Sequence, residues 1–213
     1  ADMDITHVIR GDDHVANTPQ QISLYRALGK TIPIFAHIPL ILNPDGSKMS
    51  KDYKKKNPAG KEETIPTSLL QYRDMGFLPE ATVNFLALLG WAPGDDREVI
   101  DRTELERIFT LERVGNHGAQ FNIEKLVWMN GHYLRAKTLD DLITLVRPWL
   151  EREFDLAAVT PERLREAIRQ QQERVKTLAE IADLTRFVFA KEIVYDTKAV
   201  EKVLKKEGIG DNL

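Results

Sequence analysis

Ile5-Thr6-His7-Val8-Ile9-Arg10-Gly11-Asp12-Asp13-His14 leads into Asn17-Thr18-Pro19-Gln20-Gln21 and then Ala36-His37-Ile38-Pro39-Leu40-Ile41-Leu42, and these three stretches decide the fold. Ile5 to Ile9 alternates apolar and polar residues and reads as a strand. Thr18 can cap a helix, Pro19 suits its first position, and Gln21 can close a capping box. Ile22, Leu24, Tyr25 and Leu28 give that helix a broad apolar face, and Gly29 ends it. Ile38 to Leu42 is a nearly continuous apolar run suited to a buried sheet. Strand, helix and strand form a βαβ unit, which implies a parallel sheet. Ligands of such sheets sit beyond the carboxyl ends of the strands. The segments Arg10 to His14 and Asn43 to Lys51 are therefore expected to face one crevice.

Downstream of the second strand, the turn Asn43-Pro44-Asp45-Gly46 leads into Lys48-Met49-Ser50-Lys51. Two lysines flanking a serine on a loop suit the grip of a leaving pyrophosphate. From Lys48 to Lys61 the bases are Lys48, Lys51, Lys54, Lys55, Lys56 and Lys61, against the single acid Asp52. Such a patch can bind phosphates even on a chain of net charge −3, and a solvated lysine-rich loop explains it as well. Asp52 to Pro66 is expected to be a flexible loop, with Pro58 and Gly60 as breakers. Helices follow. Pro79 to Leu89 is one, with Gly90 past its end. Thr103-Glu104-Leu105-Glu106 and Thr138-Leu139-Asp140-Asp141 are starts of the capping type, and Asn122 precedes another helix. Thr160-Pro161-Glu162 opens a long helix of about 20 residues, and Thr197 a final short one. The architecture expected is α/β, a partial Rossmann-type parallel sheet, followed by an all-α region, with divisions at 1–65, 66–137 and 138–213.

Arg10 at a strand end can pair two-pronged with a carboxylate, Gly11 permits close backbone approach, and Asp13 can accept from a ribose hydroxyl or an amino group. An ordinary strand-to-helix turn with local ion pairs accounts for the same residues. The backbone of Leu40 and Ile41 can meet the edge of an adenine in an apolar slot. On the long helix, Arg169, Gln172 and Arg174 are competent partners for phosphates and base edges, and equally ordinary on a solvated face. The chain has no cysteine, which excludes a disulfide framework and thiolate zinc. His7, His37, His117 and His132 are scattered and read as structural, His14 can contact a phosphate or cap its turn, and no metal site is expected. No apolar run approaches the length of a membrane span. The chain begins inside a strand without a methionine and reads as a piece of something longer.

Together, Val8 to His14, Asn17 to Gln21, His37 to Ile41 and Lys48-Met49-Ser50-Lys51 resemble the second half of a class I glutamyl-tRNA synthetase active site. The likeness continues through Gly76 to Ala81, Asn84 to Trp91, Asp95 to Glu98, Phe121 to Leu126 and Trp128 to Tyr133. It implies that residues 1–65 are the second half of the catalytic nucleotide-binding domain, 66–137 a helical stem-contact domain, and 138–213 the first part of a helical anticodon-binding domain. It implies ATP-dependent activation of glutamate and transfer to tRNA-Glu by a cytoplasmic monomer, with Mg2+ accompanying the ATP. Carried over by position, Arg10 and Asp13 bind substrate, Leu40, Ile41, Lys48, Ser50 and Lys51 bind ATP, and Lys48 and Lys51 are catalytic. Lys54, Lys55 and Lys56 lie in an apparent insertion after the signature lysines and are expected to meet tRNA, together with Arg169, Gln172 and Arg174. The His-Ile-Gly-His-type signature of the family is absent, so the chain alone is expected to be inactive. A glutamyl-queuosine tRNA-Asp synthetase paralogue and a non-catalytic tRNA-binding remnant are the alternatives.

Overall fold

The first strand forms where a neighbour exists to pair with it. In the computed structural model, which describes residues 3–50, 54–56, 62–64, 66–152 and 154–189, β1 is His7–Gly11. It lies later than the expected Ile5 to Ile9 because its parallel register with β2 (Ile34–Ile38) runs from His7 opposite Ile34 to Gly11 opposite Ile38. The crossover is α1 (Thr18–Ala27), which ends before Gly29 at a φ of +63°. Thr18 does not cap it. The preceding 3-10 turn Asp12–Asn17 runs straight into the helix, Asn17 makes no side-chain cap bond, and the Thr18 hydroxyl bonds elsewhere.

The expected strand Ile38 to Leu42 is split. Pro39 lacks an N–H for the ladder, so β2 ends at Ile38 and a short β3 (Ile41–Leu42) pairs with another segment, β6 (Ala119–Gln120), in parallel. Burial is also less than expected. From residue 3 to residue 42 only Pro33 is buried, and Leu24 and Leu28 on the supposed apolar face of α1 are 62% and 71% exposed. One helix on two strands is too thin to enclose a core.

Part of the expected flexible loop is a hairpin. β4 (Lys54–Lys56) pairs antiparallel with β5 (Glu62–Thr64), setting Lys54 opposite Thr64, Lys55 opposite Glu63 and Lys56 opposite Glu62. Helices α2 (Leu69–Asp74), α3 (Pro79–Leu88), α4 (Arg102–Ile108) and α5 (Ile123–Ala136) complete a unit spanning Ala1–Ala136. The cap of α4 is Asp101, whose carboxylate accepts from Glu104 N–H at 3.0 Å, and not Thr103. Asn122 Oδ1 accepts from Lys125 N–H at 3.1 Å, as its place before α5 implies.

The core of this unit is aromatic. Tyr72, Phe77, Phe85, Phe121, Leu126 and Met129 pack together, with edge-on ring pairs Tyr72–Phe77 at 5.6 Å and Phe85–Phe121 at 5.0 Å. Met49, within the Lys-Met-Ser-Lys stretch, packs against this cluster. β6 is held tightly to β3. A Cβ on Gly118 would lie 2.7 Å from Leu42 Cδ1, 2.9 Å from its Cγ and 3.1 Å from the Leu40 carbonyl oxygen. Gly118→Ala is therefore expected to destabilise this unit by about 1–3 kcal/mol, the usual range for overpacking, seen as a lower urea midpoint with an unchanged slope.

The second unit, Lys137–Leu213, has helices and no strand among its described residues. Thr138 caps α6 (Leu139–Leu150), accepting from Asp141 N–H at 3.2 Å. The expected long helix from Thr160 is two helices, α7 (Pro161–Gln171) and α8 (Leu178–Phe189). The break occurs because Val175 is drawn into the core and Thr177 starts a new helix, accepting from Glu180 N–H at 3.2 Å while Glu180 Oε2 accepts from Lys176 N–H. Thr177-Leu178-Ala179-Glu180 is a capping-box signature within the sequence. Leu142, Val146, Leu150, Ile168 and Ile181 form the buried seam. The helix expected from Thr197 lies outside the described residues. Among the described residues no helix is long and apolar enough to cross a membrane.

Candidate active site

The carboxyl ends of β1 and β3 point two loops at each other. Arg10, the penultimate residue of β1, sits opposite His37 in the parallel register. Its Nε donates to His37 Nε2 at 3.3 Å, and Nη2 donates to Thr18 Oγ1 at 3.0 Å and to the His14 carbonyl at 3.4 Å. The guanidinium lies over the Phe35 ring, 5.2 Å from its centroid. A Cβ on Gly11 would lie 2.6 Å from Asp13 Oδ1, so a larger residue there would displace the exposed Asp13 carboxylate from its present position.

The lysine loop is built by a tight return from β3. Gly46, at a φ of +84°, lets the chain turn back so that Lys48 bridges Leu42 and Met49 N–H donates to the Ile41 carbonyl at 3.0 Å. The buried Asn43 staples the return, with Nδ2 donating to Ser47 Oγ at 2.9 Å and to the Lys48 carbonyl at 3.1 Å. Asp45 accepts from the Ser47 N–H and hydroxyl. The result places Lys48 Nζ 3.2 Å from Asp13 Oδ2. The hydrogen bond from that ammonium holds the Asp13 carboxyl below the usual carboxylate range. The folded value being depressed, this pair is present at neutral pH and is lost only as pH falls through that lowered value. Both partners are well exposed, so the pair contributes orientation more than stability.

Of the residues expected at the site, Arg10, Asp13 and Lys48 thus converge in one region. Ser50 is exposed at the end of the described loop, and Lys51 lies outside the described residues. Ile41 contributes its carbonyl to Met49, and Leu40 lies with its carbonyl against Gly118. Beside them an apolar recess of about 270 Å3 is lined by Ile38, Pro39, Ile41, Leu89, Trp91 and Phe109 among others. Lys54, Lys55 and Lys56 lie on β4, in antiparallel register with Thr64, Glu63 and Glu62. In the second unit, Arg169 is occupied: its Nε and Nη2 donate to Glu166 at 2.8 and 2.7 Å. Those bonds lower the Glu166 carboxyl to about 2. Gln172 and Arg174 are not on a helix. They lie in the turn after α7, where Gln172 Nε2 donates to the Lys137 carbonyl at 2.8 Å and Arg174 is exposed.

Sequence reasoning misses His37, Thr18 and Asn43. By sequence His37 reads as structural and Thr18 as a cap. Only the pairing register, which puts His37 beside Arg10, reveals their shared partner. Among the described residues no group of three His, Asp or Glu side chains is arranged to hold a metal ion.

Residues 1–128 match the family described as tRNA synthetases class I (E and Q), catalytic domain, and residues 135–212 match the family described as anticodon binding domain. Over 202 residues the chain is 46% identical to the glutamate–tRNA ligase of Syntrophobacter fumaroxidans, covering 95% of this chain and 40% of that protein. Over 204 residues it is 45% identical to the glutamate–tRNA ligase of Geobacter sulfurreducens, covering 96% and 41%. The fold is similar to the crystal structure of a glutamate tRNA ligase from Elizabethkingia meningosepticum in complex with its amino acid, with a TM-score of 0.73 at 32% identity over 94% of this chain and 41% of that one. The chain spans about two fifths of the length of the curated relatives it matches.

Proposed function

From the premise that this chain belongs to the class I tRNA synthetases of the E and Q type, we propose that it supplies the ATP-gripping part of a glutamate–tRNA ligase. The observation that carries this reading is the approach of Lys48 to within 3.2 Å of Asp13, three positions on from Arg10 in the same strand-to-helix turn. Arg10 takes a carboxylate of glutamate. A carboxylate oxygen of glutamate attacks the α-phosphorus of ATP in line, the bond to the β-phosphate oxygen breaks, and pyrophosphate leaves as glutamyl-adenylate forms. Lys48 and Lys51 draw off the charge that grows on the pyrophosphate. The terminal ribose hydroxyl of tRNA-Glu then attacks the acyl carbon and AMP departs. The adenine lies against the backbone of Leu40 and Ile41. Mg2+ enters as the complex with ATP, whose phosphate oxygens and waters suit its coordination better than a protein cage does.

In this reading residues 1–65 are the second half of the nucleotide-binding domain, 66–137 contact the tRNA stem, and 138–213 begin the anticodon-binding region. The protein acts in the cytoplasm as a monomer. The match of residues 135–212 to an anticodon-binding family favours this reading over a paralogue that ends soon after its catalytic half. The test is glutamate-dependent ATP–pyrophosphate exchange by the full-length gene product with tRNA present. Exchange with glutamate but not with glutamine supports the assignment, and its absence would overturn it. The 213-residue chain, which contains no His-Ile-Gly-His-type sequence, is expected to show no exchange by itself.

Lys54, Lys55 and Lys56 carry a second, smaller expectation. Replacing all three with alanine should weaken tRNA binding and flatten its salt dependence, by about one unit of slope for each phosphate that is no longer neutralised. An unchanged slope would remove β4 from the tRNA interface.

A further inference from the structure

Arg10 carries a charge that no acid among the described residues balances. Among the described residues no carboxylate lies within ion-pairing distance of it, although Asp12 and Asp13 follow closely in sequence and Asp13 is engaged by Lys48. Its partners are instead the acceptor nitrogen of His37, the Thr18 hydroxyl, the His14 carbonyl and the face of Phe35. Nε and Nη2 are spent on these groups, and Nη1 makes no bond among them. Thr18 Oγ1 lies 3.1 Å from His37 Nε2, so hydroxyl, imidazole and guanidinium form a closed triangle. A half-buried cation held only by neutral acceptors is pinned in direction while its attraction for an anion is left intact.

We propose that His37 and Thr18 are positioning residues that fix the Arg10 guanidinium with its Nη1 edge turned to the substrate carboxylate, and that their neutrality is what keeps Arg10 available. This rests on the functional reading above. Neutral partners restrict the long arginine side chain before the substrate arrives, so less freedom is lost on binding. An acid at either position would occupy the guanidinium and compete with glutamate.

The test uses the full-length gene product, with glutamate binding followed by calorimetry and the KM values for glutamate and ATP followed in exchange with tRNA present. Thr18→Ser keeps the hydroxyl and should bind glutamate within about two-fold of wild type. Thr18→Val removes the hydroxyl at nearly constant shape and should weaken glutamate binding about ten-fold, the scale of a lost hydrogen bond to a charged group. Thr18→Asp suits the first turn of a helix, yet should weaken glutamate binding at least as much. His37→Gln, which can present an amide oxygen to Arg10, should bind glutamate more tightly than His37→Leu. The KM for ATP should stay within about two-fold throughout. Equal glutamate affinity in wild type, Thr18→Val and His37→Leu would overturn the positioning role and leave the functional reading standing. A loss as large in Thr18→Ser as in Thr18→Val would overturn it too, by marking a structural effect. A wild-type protein that neither binds glutamate nor exchanges pyrophosphate would overturn the functional reading and the positioning role together.

Discussion

Lys48→Ala, made in the full-length gene product, is expected to lower the turnover of ATP–pyrophosphate exchange by about two to three orders of magnitude, the range found when one preorganised donor to a developing anion is removed. Lys48 is aimed before any substrate is present. The Leu42 bridge, the two bonds from Asn43 Nδ2 and the Met49 N–H to the Ile41 carbonyl fix its backbone, and its ammonium lies 3.2 Å from Asp13 Oδ2. If Lys48 acts as proposed, the effect should fall on turnover more than on the KM for ATP, because the charge it would meet is greatest as pyrophosphate leaves. Lys48→Arg keeps the charge but spreads it over a planar fork, so partial activity is expected and not full rescue. Thermal stability should barely move, since the Lys48–Asp13 pair is exposed and screened by solvent. A loss of turnover below ten-fold, with the melting temperature unchanged, would remove Lys48 from the chemistry.

Phe121→Ala should be among the most damaging substitutions away from that site, at about 3–5 kcal/mol. The ring is buried against Phe85 at 5.0 Å and Tyr72 at 6.0 Å, and the backbone N–H of Phe121 donates to the Leu42 carbonyl at 2.9 Å. It thereby joins the aromatic core to the strand from which the lysine loop springs. A cavity there loses transfer energy and ring packing together, and the neighbouring rings can close it only in part. Met49 rests on the same cluster, so exchange activity should fall with stability. Leu69→Ala, at a position 65% exposed, is the contrast and should change stability by no more than about 0.5 kcal/mol. Denaturant midpoints at constant slope decide between them, and comparable midpoints for the two variants would sink the account of the core.

Local chemistry is enough to read the parts of this protein that depend on a few neighbours. Gly29 and Gly90 end helices at positive φ, and Thr138 and Asn122 cap helices through their own side chains. A strand, a helix and a parallel strand can be inferred because periodicity and turn residues act within a few positions. The ordered motifs from Val8 to Tyr133 carry the family resemblance for the same reason: each is a contiguous word. The tertiary structure decided whatever depends on a distant partner. The breaks at Pro39 and before Thr177 carry local signals, but the partner that Ile41–Leu42 finds in β6 and the burial of Val175 do not. A cross-strand register turned a lysine-rich loop into a hairpin with glutamates opposite. Register likewise made His37 a partner of Arg10, and the return at Gly46 carried Lys48 to Asp13, 35 positions earlier. A side chain's chemistry is written in its own letter, but its partner is chosen by contacts that close only when distant segments meet, and those contacts leave no local pattern to read.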